Sequence, residues 1–191
     1  NQNLSYHSSI IGSFNYQKTD GFRNHAGFEN KSASVKLNLQ KNKAAHTISI
    51  LHFDSPYAFD PGGLTINEVS MGRSQARKKN ESYEAGESVL QSQMAWKYKT
   101  PFQVGELESI LHYSPRLFDG KLPFENGGLV NLNRDFYGGT ILYRFPSDIG
   151  YSEGIIGLDF QNQRDHRKRY ANLAGTKGNQ TMNQIEPVSY T

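Results

Sequence analysis

The chain has no cysteine among its 191 residues, which excludes a disulfide framework and a thiolate metal site. Nor has it any apolar run near the roughly 18 residues that a membrane helix needs, so a helical membrane protein is excluded too. Charge of one sign is scarce. With 21 Lys and Arg against 18 Asp and Glu, the net charge is +3, too mild to imply a nucleic-acid partner. Catalytic signatures are missing as well: there is no Gly-x-Ser-x-Gly elbow and no phosphate-cradling loop, and the chain is read as no enzyme. The histidines, at positions 7, 25, 46, 52, 112 and 166, have no metal-binding spacing, and Asp54 and Asp60 around Pro61-Gly62-Gly63 read as turn chemistry. No metal or cofactor is expected. The triplets at Asn3, Asn30, Asn80 and Asn179 match the glycosylation pattern, which arises by chance in an Asn- and Ser-rich chain.

What is present is alternation. Residues 31–39 place Ala33, Val35, Leu37 and Leu39 on one face of an extended strand, with Ser32, Ser34, Lys36 and Asn38 on the other. Period two of this kind marks a strand with one greasy side and one wet side. The low mean hydropathy is compatible with a barrel wall, because every second residue faces water. Seven such strands are expected, at about 8–18, 29–40, 46–54, 87–99, 106–114, 130–145 and 151–163, with a polar connection taking the rest of the chain.

The connections carry the topological signal. Tight turns are expected after the second, fourth and sixth strands, at Lys41-Asn42-Lys43, at 100–105 and at Pro146-Ser147-Asp148. Long ones follow the odd strands, including about thirty residues from Ser55 to Gly86 and about twenty after the fifth strand. Within the former, Thr65-Ile66-Asn67-Glu68 has capping-box spacing and predicts a short helix ending near Gly72. Alternating short and long connections fit an all-β, antiparallel, up-and-down transmembrane barrel, in which periplasmic turns are short and outer loops long. Trp96, Tyr98, Tyr143 and Phe145 then belong to an interfacial aromatic belt at the tight-turn end. Seven strands cannot close, because an open edge in lipid leaves backbone groups unpaired at several kcal/mol each. The whole of 1–191 is therefore expected to be part of one larger barrel domain.

Several stretches then resemble a known family. Phe14-Asn15-Tyr16-Gln17-Lys18-Thr19-Asp20-Gly21-Phe22-Arg23, Phe53-Asp54-Ser55-Pro56-Tyr57-Ala58-Phe59-Asp60-Pro61-Gly62-Gly63-Leu64-Thr65 and Val130-Asn131-Leu132-Asn133-Arg134-Asp135-Phe136-Tyr137-Gly138-Gly139 are similar to the barrel of TonB-dependent outer-membrane receptors. The resemblance implies a 22-stranded barrel in the outer membrane of a Gram-negative bacterium. It also implies a plug with no counterpart in these residues, and import of a ferric siderophore or similar iron chelate driven through the TonB complex. Outer-membrane lipid, including lipopolysaccharide, is a further expected partner.

Candidate ligand contacts are chosen by position and charge. Two basic clusters, Arg73, Arg77, Lys78, Lys79 and Arg164, Arg167, Lys168, Arg169, are expected on outer loops, where they would steer an anionic chelate inward. Arg23 is expected in the first long connection. Arg116 and Arg134 flank the base of the next outer loop, where a guanidinium fork suits carboxylate or phosphate. Glu106 and Glu108 share a strand face and are expected to meet Lys97 or Lys99 across the hairpin. A different class remains open: a complete small soluble β-sandwich or barrel acting as a carbohydrate-binding or adhesion module. Such a sandwich would bury Leu90, Met94 and Trp96 against a second sheet.

Overall fold

A computed structural model describes residues 6–146 and 153–190. The chain forms one antiparallel sheet in which each strand pairs with its neighbours in sequence, in the order β1 to β8. The strands are β1 (Tyr6–Thr19), β2 (Phe28–Lys41), β3 (Ala44–Phe59), β4 (Gly86–Phe102), β5 (Gly105–Lys121), β6 (Leu129–Pro146), β7 (Glu153–Leu173) and β8 (Thr176–Tyr190). Two short helices, α1 (Ile66–Met71) and α2 (Lys78–Ser82), lie in the connection between β3 and β4. No rung joins β1 to β8 among the described residues, so the sheet is open.

Register sorts the side chains onto two faces. Ser34 on β2 is directly opposite Leu51 on β3, which faces Gln93 on β4, while Glu108 on β5 faces Lys99 and Leu142. Direct cross-strand partners point the same way, so this face gathers Ser34, Lys36, Thr47, Gln91, Gln93, Lys97, Lys99, Glu106, Glu108, Arg116, Arg134 and Gln163. The opposite face carries Ile10, Phe14, Val35, Leu37, Ile48, Leu90, Met94, Trp96, Leu111, Ile141, Leu158 and Phe160. That apolar face has no second layer. Ile10 is 71% exposed, Phe14 72% and Leu158 78%. Leu37, Leu90 and Leu158 share no dry interior, and among the described residues the only buried apolar side chains are Ala76, Ala85 and Leu129.

At the tight-turn end of the apolar face the rings form a belt. Trp96 stacks on Tyr98 with centroids 6.0 Å apart and donates its indole N–H to His46 Nδ1 at 3.3 Å; Tyr143 meets Phe145 at 5.6 Å and Phe102 edge-on at 6.0 Å.

The strands are longer than hydrophobic alternation indicates. β3 continues past Asp54 to Phe59 across a bulge between Ser55 and Ala58 that accommodates Pro56. β5 continues through Pro115 to Lys121, so the connection before β6 is 122–128 and not some twenty residues. Pro115 brings no N–H to the ladder, and the β4–β5 pairing lacks rungs between Gln91↔Arg116 and Met94↔Tyr113. A larger correction concerns the end of the chain. Residues beyond 163 are no loop: β7 runs on to Leu173, turns through Ala174 (φ 49°) and Gly175 (φ 89°), and returns as β8. Both turn residues are left-handed, the conformation of a two-residue hairpin turn that favours glycine. The seventh connection is therefore tight, and the regular alternation of connection lengths stops at the sixth strand. The second basic cluster consequently lies within β7, with Arg164 and Lys168 on one face and Arg167 and Arg169 on the other. The expected turn at Pro146-Ser147-Asp148 and the start of the seventh strand at 151 fall largely outside the described residues.

Candidate functional site

Two regions depart from a bare sheet, the loop-end rim and a hollow on the polar face. The rim is built around the 60–85 connection. Thr65 caps α1 as its spacing predicts: its hydroxyl accepts from the Glu68 N–H at 3.3 Å, while the Glu68 carboxylate accepts from the Thr65 N–H at 2.7 Å. That backbone N–H and then the Thr65 hydroxyl hold the Glu68 carboxyl below its ordinary range. Asp60 folds back on itself, accepting from the Gly62 N–H at 2.8 Å and from Asn80 Nδ2 at 3.0 Å. Gly62 has φ 67°, and a Cβ there would stand 2.6 Å from Asn80 Oδ1, so only glycine fits.

Neighbouring connections are tied to this strap from both sides. Arg23 donates from Nε to the Gln75 carbonyl at 3.1 Å and from Nη2 to the Pro61 carbonyl at 3.2 Å. His25 stacks on Phe59 at 4.7 Å, and its Nε2 lies 2.7 Å from the Ala85 carbonyl. On the far side Asn172, fully buried, donates to the carbonyls of Tyr83 and Leu122 at 3.1 and 3.0 Å and accepts from the Gly175 N–H at 2.8 Å. Glu84 pairs with Lys121, whose ammonium lowers the carboxyl's pKa. Asn80 is 2% exposed, and its amide is committed to Asp60, an environment that leaves no room for a glycan on that triplet.

The polar-face hollow is about 740 Å³ and spans β2 to β7. Its cationic lining comes from Lys36, Arg116 and Arg134, with His112, Ser114, Gln91, Gln93 and Gln163 around them; no Asp or Glu lines it. Arg116 and Arg134 are direct partners across β5 and β6. Arg134 forms a two-pronged fork with Asp165, Nε to Oδ1 at 2.7 Å and Nη2 to Oδ2 at 2.6 Å, and the Asp165 side chain is only 4% exposed. Arg116 has no such partner: its Nε is buried without an acceptor, and its guanidinium lies 5.8 Å from the Phe118 ring centroid.

Nearer the tight turns the same face is electrically closed. Glu108 accepts Lys97 at 2.9 Å and Arg144 at 3.3 Å, and Glu106 accepts Lys99 at 2.6 Å. The expected meeting of these acids with lysines across the hairpin is present. No group of three His, Asp or Glu among the described residues is placed to hold a metal ion.

Of the eight candidate arginines, the fold brings two together, Arg116 and Arg134. Arg23 is spent on holding the rim. Arg73 and Arg77 stand exposed on the strap, as expected of an outer connection. Arg164 is exposed on the apolar side of β7 beyond Phe160, and Arg167 and Arg169 are half-buried on the polar side. Sequence reasoning missed Lys36, Gln91, Gln93 and Gln163 as members of the hollow. Their wet face was legible from period two, but their proximity depends on register across six strands. No known protein-family model matches the chain.

Proposed function

We propose that these strands are consecutive staves of a TonB-dependent receptor barrel in the outer membrane of a Gram-negative bacterium. The parent binds and imports a ferric siderophore or similar iron chelate with TonB energy coupling. The observation that carries the reading is the uncovered apolar face, set back to back with a face full of ion pairs and amides. A broad apolar face exposed to water is an association or aggregation surface, whereas in lipid it is solvated and the polar face lines water. On β6 the apolar side runs from Tyr137 to Phe145, about 27 Å along the strand and about 19 Å across at a 45° tilt, which fits within the roughly 25 Å hydrocarbon band of a barrel. The belt of Trp96, Tyr98, Phe102, Tyr143 and Phe145 suits the headgroup level at the tight-turn end. The strap and the shorter rim connections then stand outside, with exposed Arg73 and Arg77 available for steering.

Detergent dependence tests this directly. The protein is expected to aggregate in plain buffer and to give a monodisperse, β-rich species in micelles; a cooperatively folded monomer without detergent would refute the barrel reading. Growth of a deletion strain on iron chelates as sole iron source then tests the transport role.

A further inference from the structure

We propose that the apolar face of β6 and β7 seats one phosphorylated glycolipid, its phosphate on Arg164 and Lys168 and an acyl chain in the hollow below them. This rests on reading that face as the lipid-facing side of a barrel wall. The apolar face does not end on a neutral border. Along β7 the exposed Ile156, Leu158 and Phe160 are followed on the same side by Asn162, Arg164, His166 and Lys168. Arg164 stands opposite Asp135, one alternation beyond Tyr137, where the apolar side of β6 ends. It lies four residues past Phe160, about 13 Å along the strand and about 9 Å in height at a 45° tilt. That is head-group level for a lipid whose chains lie against Phe160 and Leu158. Among the described residues neither Arg164 nor Lys168 stands within ion-pair distance of an acid.

The groups around these cations select the head group. Asp135 accepts the Tyr113 hydroxyl from β5 at 2.7 Å, and Asp119 accepts from the Asn131 amide, so both acids on this side are engaged away from β7. Asn133, Asp135, Arg164, His166 and Ile185 surround a recess of about 220 Å³, and His166 Nε2 lies 2.8 Å from Asn183 Oδ1. A guanidinium suits phosphate oxygens, whereas a carboxylate and amides beside it accept from hydroxyls. A phosphorylated sugar satisfies both kinds of group; the carboxylate would repel a bare phosphodiester. Nearer the tight turns a hollow of about 1120 Å³ opens on the same face. Ser109 and Gly139 form its floor, between walls of Trp96, Leu111, Tyr137, Ile141, Leu158 and Phe160. Small residues flanked by rings and branched side chains make a trough that takes a hydrocarbon chain. The trough and the recess both lie over β6 and β7, so a single amphiphile spans them, and a free sugar phosphate fills only one.

Native mass spectrometry of the full-length protein in detergent tests the proposal, with lipid A, the phosphorylated and acylated sugar of lipopolysaccharide, in one arm and phosphatidylglycerol in the other. One lipid A per protein is expected, held about tenfold or more tighter than phosphatidylglycerol. The double variant Arg164→Gln, Lys168→Gln should weaken lipid A binding by about tenfold or more, the scale of lost hydrogen bonds to charged groups. Ser109→Phe, which fills the trough, should weaken it too, while Lys43→Gln at the opposite end of the sheet should leave it unchanged. Circular dichroism confirms that the sheet is retained, and the double variant decides the matter if Ser109→Phe fails to fold. Unaltered lipid A affinity in the double variant overturns the proposal, as does an equal loss in Lys43→Gln or equal retention of phosphatidylglycerol. If the protein needs detergent but retains no lipid A, the seat fails and the barrel reading stands. If it proves soluble without detergent yet captures lipid A through Arg164, the barrel reading fails and the seat stands.

Discussion

Asn80 and Asn172 are short amides doing what backbone does elsewhere, closing connections that have no ladder of their own. Asn80→Ala removes both bonds to Asp60 and should cost about 1–3 kcal/mol locally, the range for a buried hydrogen-bonding group. Faster proteolysis within 60–85, with the sheet's circular dichroism intact, would register it. The acids of the strap give a pH signature. The Glu68 and Glu84 carboxyls are held below their ordinary range in the folded chain, so their contribution is complete above the unfolded carboxylate value of about 4.3 and is lost as pH falls through the lower folded values. The strap should therefore resist proteolysis at neutral pH and open under acid, as followed by pepsin cleavage between pH 5 and 2. Glu84→Gln, which loses the charge facing Lys121, should flatten part of that dependence.

Among the elements, the sheet's central stretches were legible and their extensions were not. Val35 to Leu39 and Leu90 to Tyr98 alternate because one face is apolar, and the capping box at Thr65 is a local signal that needs no tertiary context. Past Phe160, β7 is polar on both sides, with Asn162, Arg164, His166 and Lys168 on one face and Gln163, Asp165 and Arg167 on the other. Period two in hydrophobicity then vanishes although the strand continues. Gly175 was the available sign of the missed hairpin, but weak alternation from Thr176 onward hid its return strand. Arg116 and Arg134 could be picked by charge; Asp165 as the partner of only one of them needed the register. The two faces also differ in what they tolerate. On the proposed barrel reading, Leu158→Arg should destabilise the protein in micelles by roughly 2–4 kcal/mol, the cost of a charge near the middle of a lipid-facing wall, while Gln161→Arg on the polar face should cost little. Urea midpoints of the two variants measure the difference.

For the molecule as a whole, the distribution of burial is inverted relative to a globular domain. Most large apolar side chains are uncovered; the buried apolar residues Ala76, Ala85 and Leu129 sit at the loop end, while Glu108 and Asp165 are buried in ion pairs on the polar face. The sheet is thus held chiefly by its ladders, and the rim by side-chain ties between segments far apart in sequence. Hydrogen exchange should reflect this: Asn172→Ala is expected to raise exchange together at the amides of Ala85, Gly128 and Gly175, leaving mid-strand amides of β4 and β5 protected.

Asn172 works like the keystone of an arch. One side chain is wedged where the strap, the 122–128 connection and the last hairpin meet. Any of the three that swings outward must break its bond to this one side chain, so a single residue sets the cost of loosening this side of the rim.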